Sequence, residues 1–134
     1  MPPKHILDGY RVLDITQHIA GPTVTRLMAE MGAEIIKVEL PPGGDTMRYV
    51  TPDSTFWQNA SMGFFPENHN KYHVGIDLHG DEGKTLFRQL AARSDIFVEN
   101  FRAGTLDKWG IGYRQLREVN PRLIYIADSG FGQW

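Results

Sequence analysis

The chain has 134 residues, 41% hydrophobic and 22% charged, with 14 Lys+Arg against 16 Asp+Glu and a net charge of −2. This is the size of one domain of ordinary composition, long enough to bury roughly two-thirds of the surface that its unfolded form exposes. The near-neutral charge argues against a nucleic-acid or other polyanion-binding stripe, and the absence of cysteine removes disulfides, thiolate metal sites and a cysteine nucleophile.

The longest uninterrupted apolar stretch, Leu123 to Ala127, is far short of a membrane span. Met1-Pro2-Pro3-Lys4-His5 lacks the apolar region of a signal peptide, so a cytoplasmic protein is expected. Five short apolar runs rich in β-branched residues are predicted strands. The first, Val12 to Ile15, leads through Thr16-Gln17-His18-Ile19-Ala20-Gly21-Pro22 into an apolar stripe at Leu27, Met28 and Met31. Pro22 suits a first helical turn there, and Gly32 a C-cap. The second strand, Ile35 to Val38, completes a strand–helix–strand unit. Leu40 to Tyr72 then breaks the alternation with Pro41-Pro42-Gly43-Gly44, Pro52, Pro66 and several aromatics, and a loop this long is usually functional or stabilised by a partner.

Val74 to Leu78 is the third predicted strand. Asp81 to Arg93 follows as a second crossover helix, with acidic residues at its start and Leu86, Phe87, Leu90 and Ala91 on its apolar side. Ile96 to Val98 is the fourth strand. A third helix is marked by Tyr113, Leu116 and Val119, and Asn120-Pro121 ends it before the fifth strand, Leu123 to Ile126. Strands that alternate with helices, each apolar enough to be covered on both faces, predict a Rossmann-like α/β fold: a doubly wound, mainly parallel sheet of about five strands with flanking helices.

In such a sheet the ligand crevice lies outside the carboxyl ends of the strands. The segment after the first strand is not Gly-x-Gly-x-x-Gly, which disfavours a dinucleotide site. Gly83-Lys84-Thr85 resembles the end of a Walker A loop, but Leu78 occupies the position of the required first glycine, and Asp81 and Glu82 would repel a phosphate. The triplet reads as the first turn of a helix. The five histidines form no His-Glu-x-x-His and no metal site is predicted; no Gly-x-Ser-x-Gly elbow is present either. His18 follows a strand at the predicted crevice, where a ligand contact and a plain surface imidazole are equally good readings. Asp14, Glu39, Asp77, Glu99 and Asp128 lie at or near strand ends, and nothing local marks one of them as reactive. Asn100-Phe101-Arg102-Ala103-Gly104, followed by Lys108, combines an amide, an aromatic face and positive charge. That set suits stacking on a base and neutralising phosphates, although a polar loop with ordinary surface charges explains the same residues.

Set in order, Leu7-Asp8-Gly9-x-Arg11-Val12-Leu13-Asp14, Ala20-Gly21-Pro22, Gly32-Ala33-Glu34-Ile35-Ile36-Lys37-Val38-Glu39 and Gly44-Asp45-x-x-Arg48 are followed by Asn70-Lys71 and Ile76-Asp77-Leu78. Val98-Glu99-Asn100-Phe101-Arg102-x-Gly104, Asn120-Pro121-Arg122-Leu123-Ile124 and Ser129-Gly130-Phe131-Gly132-Gln133 complete the series. In order and spacing these segments resemble the amino-terminal part of the family III CoA-transferases, the group that includes formyl-CoA and carnitine CoA-transferases.

The resemblance implies that residues 1–134 are the amino-terminal CoA-binding part of a longer enzyme, which moves CoA from an acyl-CoA donor to a carboxylic acid. In the family an aspartate attacks the donor thioester to give a mixed anhydride, and released CoA converts this into an enzyme-bound CoA thioester. The acceptor carboxylate then takes over that carbonyl, and CoA passes to the acceptor acyl group. The nucleophile lies beyond the Gly-Phe-Gly-Gln segment, so the chain reads as truncated before it, with no catalytic residue of its own and no activity alone.

By position, His18 and Ile19 match the loop beside the thiol end of CoA, and Ile76 and His79 match residues flanking the nucleotide. Asn100 and Phe101 match a pair beside the cofactor, and Arg102 and Lys108 match basic residues near its phosphates. His79 departs from the lysine often found there, and Ile19 from the glutamine of formyl-CoA transferase. The implied cofactor is CoA, carried as acyl-CoA, with no metal. The implied partners are acyl-CoA, a carboxylic acid and, for the full-length protein, a second copy in an interlinked homodimer, with no nucleic acid and no membrane. The alternatives are an α-methylacyl-CoA racemase-type enzyme of the same superfamily and a non-catalytic CoA-binding module.

Overall fold

The computed structural model describes residues 5–50, 56–57 and 60–133. In chain order they form β1 (Arg11–Asp14), α1 (Ala20–Glu30), β2 (Glu34–Glu39) and a 3-10 turn at Thr46–Arg48. The short pair β3 (Phe56–Trp57) and β4 (Ala60–Ser61) follows, then α2 (Phe65–Asn68), β5 (Tyr72–Gly75) and α3 (Asp81–Ala91). The remaining elements are β6 (Ile96–Glu99), α4 (Thr105–Trp109), α5 (Tyr113–Val119) and β7 (Ile124–Ala127).

The main sheet is parallel throughout, in the order β5-β2-β1-β6-β7. Val12 of β1 is in register with Ile35 of β2 and Ile96 of β6, so three β-branched residues line up across the centre of the sheet. From β1 the chain winds outward through β2 to β5, then returns to the other side of β1 for β6 and β7. The strand order therefore reverses between β1 and β6, and the crevice of a doubly wound fold opens at that point.

Alternation along β1 and β6 sends successive side chains to opposite faces. Leu13, Ile15 and Phe97 pack on one face with Leu78, Phe87, Ala91, Leu106, Ile111 and Leu116, which α3, α4, α5 and their connections supply. Phe87 meets Phe97 edge-on, with ring centroids 5.7 Å apart. Val12, Ile35, Ile96 and Val98 point to the other face and pack with Ala29 and Ala33 beneath α1. These small residues let α1 lie close to the sheet.

Two expectations need correction. The third strand spans Tyr72–Gly75 rather than Val74 to Leu78; Ile76 and Leu78 are buried, but in the connection that leads to α3. Nor are all strands covered on both faces. All residues of β5 are exposed, and Ile124 of β7 is 55% exposed, because these are the edge strands and the flanking helices sit over the middle of the sheet. The break from Leu40 to Tyr72 is partly structured by the 3-10 turn, β3, β4 and α2; Pro52 lies outside the described residues. Helix α4, which was not predicted, is bracketed by Gly104 and Gly110, both in the left-handed region (φ 78° and 74°) that glycine adopts without a Cβ penalty. No helix among the described residues is long and apolar enough to cross a membrane.

Candidate functional site

The loop between β1 and α1 leads from the carboxyl end of β1 to Ala20 at the crevice, and side chains hold its backbone. Thr16 N–H donates to Asp14 Oδ1 (2.8 Å), and Lys37 Nζ donates to Thr16 O (2.6 Å). Gln17 N–H donates to Asn100 Oδ1, while Asn100 Nδ2 donates back to Gln17 O, both at 2.8 Å. His18 N–H donates to Asp45 Oδ1 (3.1 Å). From Thr16 N–H to His18 N–H, every backbone polar group thus has a side-chain partner drawn from β1, β2, the turn after β2 or the end of β6. Such over-determination accommodates His18 at φ 66°, an uncommon conformation for a residue with a Cβ. Its ring Nε2 lies 3.0 Å from Thr46 Oγ1.

Two ion pairs are sealed beneath this loop, all four side chains being inaccessible to solvent: Asp14 with Lys71 and Lys37 with Asp45 (each 3.2 Å). Asp14 Oδ2 also accepts from Thr25 Oγ1 (2.6 Å), and Lys71 Nζ also donates to Pro22 O and Asn68 Oδ1. Burial pushes the Lys71 ammonium down to about 8, although Asp14 opposes the shift. Further out, Glu39 accepts from Asp45 N–H, from Arg48 Nε and Nη2, and from His73 Nδ1. Burial alone would raise its carboxyl, but the hydrogen bonds from Arg48 and His73 outweigh that effect and hold it well below the usual carboxylate range.

The crevice itself is a cleft of about 620 Å³ between the start of α1 at Ala20 and the segments that follow β6 and β7. Asn100, Phe101, Arg102, Asp128 and the run Ser129 to Gly132 line it, and Phe131 is 92% exposed at its edge. Glu99, at the end of β6, is 4% exposed and accepts from Phe101 N–H (2.8 Å), which fixes the turn that presents Phe101. Burial raises the Glu99 carboxyl.

Among the residues expected to bind a ligand, Asn100, Phe101 and Arg102 share the cleft wall, but Asn100 acts through the β1–α1 loop as much as toward the cavity. His18 and the exposed Ile19 lie on the β1–α1 loop just before Ala20, and neither lines the cavity. His79 joins the group indirectly: its ring meets Trp109 edge-on at 5.3 Å, and Trp109 meets Phe101 at 5.4 Å. Ile76 is buried in the core beside that row and presents little surface to a ligand. Lys108 is exposed on α4, next to Trp109. Sequence reasoning missed Trp109 because α4 is too short to show a helical period. It also gave no role to Lys37 and Asp45, whose partnership depends on the fold. No group of three or more His, Asp or Glu among the described residues is arranged to hold a metal ion.

A doubly wound parallel sheet flanked by helices, with a cleft at its switch point, defines a Rossmann-like α/β domain. The chain belongs to CoA-transferase family III, whose model matches residues 7–134. It is 42% identical over 127 residues to the alpha subunit of succinyl-CoA–L-malate CoA-transferase from Chloroflexus aurantiacus, covering 95% of this chain and 29% of that protein. It is 48% identical over 128 residues to succinyl-CoA:mesaconate CoA-transferase from Haloarcula hispanica, covering 94% of this chain and 32% of that protein. The crystal structure of Rv3272 from Mycobacterium tuberculosis matches with a TM-score of 0.87 at 40% identity, over 98% of this chain and 36% of that one. The chain thus spans less than a third of the length of the two curated relatives.

Proposed function

We propose that this chain is the CoA-holding part of an acyl-CoA transferase that moves CoA from an acyl-CoA donor to a carboxylic acid. The observation that carries this reading is the cleft at the β1/β6 switch point, with Asn100, Phe101 and Arg102 on one wall and Ala20, at the end of the braced β1–α1 loop, on the other, in a chain that belongs to a CoA-transferase family. In this reading Phe101 supports the coenzyme from one side, and Arg102 and Lys108 neutralise its phosphates. The row His79–Trp109–Phe101 offers an aromatic surface for the nucleotide end, and the loop at His18 and Ile19 borders the thiol end.

The transfer needs a carboxylate nucleophile to carry the acyl group as an anhydride and then CoA as a thioester. Asp14, Asp45, Glu39 and Glu99 are poor candidates, since none of them lines the cleft and each is occupied by hydrogen bonds. Asp128 is on the cleft wall, but it precedes the Gly-Phe-Gly-Gln segment, whereas the family places the nucleophile after it. The chain therefore contributes binding and orientation, and the covalent step falls to residues elsewhere in the protein. Both relatives described above carry succinyl-CoA in their names, which makes a succinyl donor the first to test. In this reading the complete protein works as a homodimer in the cytoplasm.

The test is to incubate the whole gene product with succinyl-CoA and a short dicarboxylic acid such as L-malate or mesaconate. Formation of the acceptor's CoA thioester, matched by release of succinate, is the expected result. Thioester hydrolysis without acylated acceptor, or α-proton exchange in heavy water with no acceptor present, would overturn the transferase reading; the second result would favour a racemase.

A further inference from the structure

We propose that the buried Lys37–Asp45 ion pair is a positioning device for the cleft, acting through the backbone of Thr16 and His18 to set the loop against which CoA seats. The inference rests on the CoA-binding function proposed above and assigns that function two residues which do not touch the cleft.

Three observations carry it. First, the pair is costly to keep. Both side chains are completely removed from solvent, and a buried ion pair is seldom more stable than well-packed apolar residues of similar volume. Stability alone gives little reason to place a lysine in the middle of β2, where Ile35 and Val38 are apolar. Second, the bonds that the pair makes beyond itself converge on the loop. Lys37 Nζ donates to Thr16 O, and Asp45 Oδ1 accepts from His18 N–H and from Met47 N–H in its own turn. Asp45 Oδ2 faces only the Lys37 ammonium. Third, the loop needs such a device, because His18 occupies the left-handed region and would relax toward commoner backbone angles once its amide lost its partner.

The pair is itself held from outside. Asp45 N–H donates to Glu39, which Arg48 and His73 grip in turn, so that a continuous chain of contacts runs from the edge strand β5 to the loop at the cleft.

The test compares Asp45→Ala with Asp45→Asn in the whole gene product, with CoA itself as the titrant in calorimetry and thermal unfolding measured in parallel. Both substitutions leave the Lys37 ammonium without a counter-charge, so both should lower the unfolding temperature. Alanine removes the acceptor for His18 N–H outright, whereas asparagine keeps one with its Oδ1 turned to His18 and Met47 and its Nδ2 toward Lys37. Loss of one hydrogen bond of this kind corresponds to about a tenfold weaker Kd for CoA in Asp45→Ala, while Asp45→Asn should stay within about threefold of the wild type. Equal affinities in the two variants, whether both weakened or both unchanged, would overturn the proposal while leaving CoA binding by the wild type intact. A wild type that does not bind CoA would overturn both this inference and the function on which it rests. If either variant fails to fold, the same comparison in a Lys37→Met background removes the orphaned ammonium, and the same difference between alanine and asparagine is expected.

Discussion

The side-chain amide of Asn100 is bonded to the backbone of Gln17 in both directions, at 2.8 Å each way, although the two residues are 83 positions apart in sequence. The carboxyl ends of β1 and β6 are thereby locked across the switch point. Removal of the amide in Asn100→Ala leaves a donor and an acceptor of Gln17 unpaired. The expected cost is about 1–3 kcal/mol in urea unfolding, together with weaker CoA binding. An unchanged urea midpoint would show that water satisfies Gln17 equally well.

Trp109 stands between His79 and Phe101, which makes it a reporter for the cleft. Titration of CoA into the whole gene product should change tryptophan emission, and Trp109→Phe should remove most of that change while leaving an aromatic ring in the row. The other tryptophans of the chain, Trp57 and Trp134, are retained in the variant as internal controls. Persistence of the full signal in Trp109→Phe would place the ligand elsewhere.

Lys71 predicts an alkaline gain in stability. Burial lowers its ammonium to about 8, whereas in the unfolded chain it titrates near its ordinary value of about 10.4. Below pH 8 both states hold the proton, and the cost of burying the charge is fully present. As the pH rises above 8 the folded state releases its proton first, the unfolded state binds more protons, and stability increases. The expected contribution between pH 8 and 10 is on the order of 2 kcal/mol. Lys71→Met should flatten this rise in denaturant unfolding measured across that range; an identical slope in the variant would rule out Lys71 as its source.

Glu39 predicts the opposite behaviour at the acid end. Its carboxyl is held well below the usual range, so its contribution is complete above the unfolded value of about 4.3 and is lost as the pH falls toward the folded one. Glu39→Gln should therefore cost about 2 kcal/mol at pH 7 and weaken the acid dependence of unfolding below pH 5. The measurement is a series of thermal melts between pH 7 and pH 3. Parallel curves for variant and wild type would contradict the assignment.

The parallel sheet, its five strands and the α1, α3 and α5 helices were legible because each rests on local pattern: a β-branched run, an apolar stripe, a Pro or Gly stop. The boundary of β5 was not, since Ile76 and Leu78 are as apolar as a strand residue but owe their burial to the approach of α3. Gly83 shows the same division. The sequence identified it as part of a helix start rather than a phosphate loop. The reason lies in the fold: a Cβ there would come within 1.8 Å of the carbonyl oxygen of Asp77, so the first turn of α3 rests directly on the backbone beneath it. In the candidate site, Asn100, Phe101 and Arg102 could be found because they are consecutive. The two buried ion pairs could not, since Asp14 of β1 meets Lys71 only across 57 residues of sequence, and Lys37 meets Asp45 only when the turn after β2 folds back on its strand.

The reversal of strand order at β1 has a consequence for how the domain is made. The central strand emerges early in synthesis; β2 can pair with it on one side, and β5 then with β2. Its other neighbour, β6, is not available until the ribosome has added more than 80 further residues, and non-local pairings of this kind form late. The Asn100–Gln17 lock must form later still. A nascent chain arrested between β5 and β6 would carry an ordered β1–β2–β5 half with the flank of its central strand bare, a surface suited to capture by a chaperone. The cleft has no second wall before that point.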